Sequence, residues 1–222
     1  MRVLIAGSHG KVGQRLVRLL VQDGHEVVAM IRSPEQTTQM QELGARPLIA
    51  DLEQDVSFAP LGCDAVVFAA GAGPGSGAAK KQTIDRGGAE KLVDAAVEHG
   101  VRRIVQVSSI GSHDPSSGRG PMQAYLEAKA QADEHLMASG LDWTIVRPGS
   151  LSDDPGDGRV RVSAELGGSG PVSRDDVAAV LAAVLPDDRT AGLLFELFDG
   201  HLPVREAIDA LVAGRPSRPA GE

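Results

Sequence analysis

The chain has little of what marks several large classes of protein. There is one cysteine, Cys63, in 222 residues. No intramolecular disulfide can form, and no cysteine–histidine cluster suggests a metal site. Aromatic residues supply only 3% of the sequence, so alanine, valine and leucine must fill the core. No apolar run approaches the roughly 20 residues that a membrane-spanning helix needs. The formal net charge is −8, and no basic stretch is interleaved with aromatics. Nucleic acid is therefore not an expected partner, and neither is a membrane. The first apolar segment begins at once, leaving no room for a signal peptide. The expected location is cytoplasmic. No internal repeat is visible.

What is present suffices for one large domain or one domain with an appendage. Hydrophobic residues make up 42% of the chain, enough for a sizeable core. Met1–Gly13 reads MRVLIAGSHGKVG. Val3–Ala6 is the apolar run of a strand buried on both faces, and Leu16, Val17, Leu19, Leu20 and Val21 follow at helical spacing. Between them lies Gly7-Ser8-His9-Gly10-Lys11-Val12-Gly13. A glycine loop between buried strand and amphipathic helix can hold a pyrophosphate on bare amides and the helix N-terminus. The first glycine permits the tight turn, the second lets phosphate approach the backbone, and the third lets helix pack on strand.

Further strands are expected at Glu26–Ile31, Arg46–Ala50, Asp64–Ala70, Arg103–Val107 and Leu141–Val146. Helices are expected between them, at Gln36–Leu43, Lys80–His99 and Gln123–Ala138. Strands alternating with helices imply an α/β fold with a doubly wound, mostly parallel sheet, Rossmann-like. Gly7, Arg32, Asp51, Ala70, Ser109 and Pro148 all fall at strand ends, where such sheets bind ligands. Residues 1–213 form the expected domain. Substrate-side elements lie at about 150–172 and 190–212, and 214–222 reads as a disordered tail. A short strand is expected at Arg159–Ser163, another at Leu193–Leu197, a helix N-cap at Ser173 and a final helix at Val204–Val212.

Arg32 follows the second strand, and no carboxylate occupies Ala29–Ser33. A guanidinium pairs with a ribose 2′-phosphate, where a carboxylate would repel it, so NADP is favoured over NAD. Lys11, in the glycine loop, is expected near enough in space to add positive charge. Asp51-Leu52 suits contact with an adenine amino group, a turn cap being the alternative for Asp51. Tyr125 is the only tyrosine and lies four residues before Lys129, on one helix face. An ammonium beside a phenol stabilises the phenolate, which can exchange a proton with a carbonyl or alcohol as hydride moves. Lys129 could also hold the nicotinamide ribose. A serine hydroxyl at the end of the fifth strand would hydrogen-bond the same substrate oxygen.

These pieces together resemble a short-chain dehydrogenase/reductase of the compact atypical NAD(P)-binding group, which includes epimerase-like and flavin-reductase-like members. The motifs are GSHGKVG (7–13), AAG (69–71), VSS (107–109), YLEAK (125–129), IVRPG (145–149) and SRDDVA (173–178). The resemblance implies Ser109 as the active-site serine in preference to Ser108, with Ser108 beside the cofactor. It further implies Tyr125 as acid/base, Lys129 as its partner, and Ala69, Ala70, Gly71 and Pro148 lining the cofactor. Many relatives carry an asparagine where this chain has Asp85, which puts an asparagine-dependent proton relay in doubt. The function expected is an NADP-dependent oxidoreductase of a small carbonyl or alcohol. Alternatives are an epimerase or dehydratase that retains its cofactor, a flavin-reductase-like activity, and a non-catalytic NAD(P)-sensing regulator. The partner expected is a small-molecule substrate, with the oligomeric state, monomer or homodimer, left open.

Overall fold

A computed structural model of the chain describes residues 1–73 and 75–214. Strand β1 (Arg2–Ala6) leads into helix α1 (Lys11–Gln22), then β2 (Glu26–Ile31), a single 3-10 turn at 34–36, and α2 (Thr37–Glu42). Next come β3 (Arg46–Ile49), β4 (Ala65–Phe68), α3 (Ala78–Lys81), a π-turn at Gln82–Arg86 and α4 (Gly87–Glu98). After β5 (Arg103–Val107) follow α5 (Pro121–Ala138), β6 (Asp142–Pro148), β7 (Ser150–Ser152), β8 (Arg159–Ser163) and β9 (Pro171–Ser173). The chain continues through α6 (Arg174–Val184), β10 (Leu193–Asp199), β11 (Leu202–Pro203) and α7 (Val204–Ala213).

Nine strands form one sheet in the order β11-β8-β10-β6-β5-β4-β1-β2-β3. From β3 to β6, and on to β10, all pairings are parallel; β8 and β11 finish the far edge in antiparallel fashion. Because β1 is flanked by β2 and β4, the connections leave it in opposite directions, and the crevice opens at that switch point. One face is covered by α1, α6 and α7, which bury Leu16, Leu20, Val177, Leu181 and Ile208. The other carries α4 and α5, which bury Leu92, Val93, Ala132 and Leu136. Alanine, valine and leucine dominate both layers, with Phe68, Phe195 and Phe198 the largest fully buried side chains.

The expected parallel sheet is present, and it is larger than the sequence pattern suggests. The short strand expected at Arg159–Ser163 is present as β8 and joins the main sheet, while β7 and β9, which were not expected, pair separately with each other. Strands of two or three residues leave no periodicity to read, which is why β7, β9 and β11 escape notice. The helix expected at Lys80–His99 spans Ala78–Glu98 but is interrupted by the π-turn. Ser173 caps α6 as expected, its hydroxyl accepting the Asp176 amide at 2.9 Å. The reading of 214–222 as a tail lies, beyond Gly214, outside the described residues. No helix among the described residues is long and apolar enough to cross a membrane.

Arg103 fastens the sheet to α6. Its guanidinium donates to the carbonyls of Leu185 (3.0 Å), Val184 (2.7 Å) and Asp142 (2.8 Å) and to Thr190 Oγ1 (3.0 Å). A cation there also complements the C-terminal end of the α6 dipole. Burial pulls its pKa down to about 10, still far above neutrality. Arg103→Met is expected to lower stability by about 3 kcal/mol or more, because buried carbonyls lose their donors. Urea denaturation followed by circular dichroism measures this.

Candidate functional site

The loop after β1 is shaped by two close backbone crossings. Gly7 has φ +85°, and a Cβ on it would lie 2.7 Å from the backbone of Ala69 and Ala70. A Cβ on Gly13 would lie 2.1 Å from the Gly7 carbonyl oxygen. Helix α1 is thus pressed against the loop, and its first-turn amides, which have no acceptors within the helix, open towards the strand ends. The cleft above them has a volume of about 1200 Å³. That exceeds the ~300–1,000 Å³ of most small-molecule sites, as an extended dinucleotide requires.

This cleft brings together most of the candidate residues. Gly7, His9, Gly10, Lys11 and Val12 form its glycine-loop floor, with Arg32, Asp51 and Leu52 at one end. Ala69, Ala70, Gly71, Ser108, Ser109, Tyr125, Lys129 and Pro148 line the other end. Ser8 and Gly13 do not line it. Ser8 is fully buried, with its hydroxyl donating to Ile5 O at 2.6 Å, so the expectation that it contacts a cofactor is corrected: it ties the loop down from beneath. Gly13 likewise acts through packing. Asp51 Oδ1 accepts the Glu53 amide at 3.0 Å, the turn-cap geometry.

The side chains at the Tyr125 end carry a more elaborate charge pattern than the Tyr-x-x-x-Lys spacing suggests. Lys129 is buried and donates to Val107 O at 2.8 Å, with Asp85 Oδ1 at 3.9 Å. Its charge is therefore offset by a carboxylate, a partner that the Tyr-x-x-x-Lys spacing does not suggest. The cation over the Tyr125 ring is that of Lys81, 4.9 Å from the centroid. Asp85, 1% exposed, also accepts the Ala72 amide at 3.0 Å, so it joins the loop after β4 to the lysine of α5. The π-turn is what aims it inward, a device common where helices carry function. Ser109 is half-buried, its hydroxyl donating to Ile110 O at 3.2 Å. Ser108 is buried and its hydroxyl donates to Asp133 Oδ2 at 2.7 Å. Ser108 thus lines the cleft while its hydroxyl is engaged with the network below.

That network is centred on Asp133, fully buried. It accepts from Gln106 Nε2 at 2.7 Å, from Ser108, and from both Nε and a terminal nitrogen of Arg147 at 3.1 and 2.9 Å. Sequence reading missed Asp133 and Arg147, although Tyr125, Lys129 and Asp133 recur at four-residue spacing on one helix face. Also missed was an ion-pair cluster that joins two cleft-lining cations: Asp153 bonds Lys11 and, at 2.9 Å, Arg174. Arg15 pairs with Asp175 just below. The Lys11 ammonium beside Asp153 holds its carboxyl below the usual range. The Gly156 amide, then Arg15, do the same for Asp175. Among the described residues no group of three potential metal ligands converges.

Comparison with known proteins agrees with this geometry. A family profile described as NAD(P)H-binding matches residues 7–188. The sugar epimerase YhfK of Bacillus subtilis, itself uncharacterised, is 38% identical over 95% of this chain and all of its own length. A solved structure from Bacillus halodurans, described provisionally as an NAD-dependent epimerase/dehydratase, superposes with a TM-score of 0.92. It is 43% identical and covers 95% of this chain and all of its own. The oxidoreductase ylbE of Lactococcus lactis superposes at 0.86 with 26% identity, over 98% of this chain and all of its own.

A methyl group at Gly13 must displace the Gly7 carbonyl and with it the loop. Gly13→Ala is expected to weaken NADPH binding at least tenfold, about 1.4 kcal/mol, as read by isothermal titration calorimetry. Unchanged affinity would mean that the loop does not hold the cofactor.

Proposed function

The chain belongs to the NAD(P)H-binding family of Rossmann-fold proteins, and from that premise we propose that it is an NADP-dependent oxidoreductase acting on a small carbonyl or alcohol. The observation that carries this reading is that Ser109, Tyr125 and a buried, anchored Lys129 share one end of the cleft that the glycine loop opens. A binding module has no need of a lone tyrosine beside a buried lysine–carboxylate pair. The preference for NADP rests on Arg32. It lines the far end of the cleft, is exposed, and has no carboxylate partner among the described residues.

The glycine cradle admits a pyrophosphate because no side chain fills it, and Arg32 would pair with the 2′-phosphate. NADPH held there would supply the hydride for the carbonyl carbon, leaving NADP⁺. Tyr125 delivers the proton to the carbonyl oxygen, giving the alcohol, and regains one from solvent. Ser109 donates a hydrogen bond to that oxygen and fixes its approach. Lys129, held by Val107 O and Asp85, keeps its ammonium where the ribose hydroxyls of the cofactor would lie. Asp85 keeps Lys129 and the Gly71–Ala72 backbone in register.

The name of the Bacillus subtilis relative favours a second reading, epimerisation with a cofactor reduced and reoxidised within one cycle. The same residues would serve it, and cofactor retained through purification with no net turnover would mark it.

The first reading predicts NADPH oxidation with members of a carbonyl panel. Tyr125→Phe should cut kcat by about 10²–10⁴. Arg32→Ala should reduce the preference for NADPH over NADH by about ten- to a hundredfold. Equal rates for wild type and Tyr125→Phe would remove Tyr125 from the mechanism.

A further inference from the structure

Among the described residues, five lysines and arginines line the cleft: Lys11, Arg32, Lys81, Lys129 and Arg174. Three have a carboxylate partner. Lys11 and Arg174 share Asp153, and Lys129 faces Asp85. Arg32 and Lys81 have none among the described residues, and they stand at opposite ends of the cleft. Arg32 is accounted for by a cofactor phosphate. Lys81 is not, because it lies against the ring of Tyr125, at the end where chemistry would occur.

The lack of a partner is built into the backbone. Asp85 lies four residues after Lys81, the spacing at which a lysine and an aspartate on a regular helix meet. Here the π-turn at Gln82–Arg86 carries Asp85 inward, to the Ala72 amide and Lys129. The neighbouring Lys80 is neutralised by Glu53. Lys81 alone in this segment presents an uncompensated ammonium to the cleft. Nearby walls are apolar: Pro121, Ile84 and Met122, the last 55% exposed.

We propose that Lys81 is the specificity-determining residue for an anionic substrate, a carbonyl compound with a carboxylate a few bonds from the reacting carbon. It rests on the oxidoreductase reading above. The carbonyl oxygen takes the Tyr125 hydroxyl while the carboxylate pairs with the Lys81 ammonium, and the apolar wall accepts the remaining chain. A charge-assisted hydrogen bond in a partly desolvated cleft discriminates acid from neutral analogue by about tenfold or more.

The test compares acetoacetate and levulinate with their methyl esters in wild type, Lys81→Met and Lys81→Arg. In parallel, levulinate is titrated into each NADP⁺-loaded protein by calorimetry, which needs no turnover. The proposal expects wild type to favour each acid over its ester at least tenfold in KM. Lys81→Met should raise the acid KM and the levulinate Kd at least tenfold, with kcat within about twofold and the ester unaffected. Lys81→Arg should retain the acid preference. Levulinate binding unchanged in Lys81→Met overturns the proposal. So does a fall in kcat for acid and ester alike, which would mean that Lys81 acts through Tyr125. Wild type that turns over neither acid nor ester overturns the oxidoreductase reading, and the calorimetry still decides the role of Lys81.

Discussion

The backbone of Gly7 runs so close to Gly13 on one side and to Ala69 and Ala70 on the other that no side chain fits between them. Three elements, β1, α1 and β4, are thereby drawn together at the switch point of the sheet. The result is an opening faced by amides instead of side chains, which is the polarity a pyrophosphate needs. Ser8 holds the turn from below. Everything else in the cleft is arranged around this crossing, because β4 and β5 then place the 69–72 and 107–109 segments along its rim.

Beyond the crossing, the floor is assembled from buried charges that neutralise one another. Asp133 takes Arg147, Gln106 and Ser108; Asp85 takes Lys129 and the Ala72 amide. Removing one partner of such a pair costs about 3–5 kcal/mol, since the other charge is left buried and alone. These pairs therefore fix geometry more than they add stability. They spend the charge of Lys129 on position. Among the described residues that line the cleft, Arg32 and Lys81 are left without carboxylate partners, and it is there that the proposals above put a ligand's negative groups.

The fold was legible because buried parallel strands read as continuous apolar runs, and Val3–Ala6, Val27–Ile31 and Ala65–Phe68 do so plainly. The loop was legible because its glycines sit at fixed offsets between strand and helix. Less visible were features that depend on three-dimensional approach. Nothing local distinguishes Ser8, buried, from His9, exposed. Helix α5 buries Lys129 and Asp133 on its apolar side, so its hydrophobic pattern is weak and its charges look solvated. The π-turn leaves no mark in Gln82–Arg86, and a regular helix drawn there would pair Lys81 with Asp85 and hide both. The partnership of Asp153 with Lys11, 142 residues apart, has no signal in sequence at all.

The most direct measurement is a crystal structure of the protein with NADP⁺. The expected result has the pyrophosphate on the Gly7–Gly13 loop, the 2′-phosphate against Arg32, and the nicotinamide ring beside Ser109 and Tyr125 with its ribose on Lys129. A 2′-phosphate turned to solvent would contradict the NADP preference. A nicotinamide lying away from Tyr125 would contradict the catalytic reading itself.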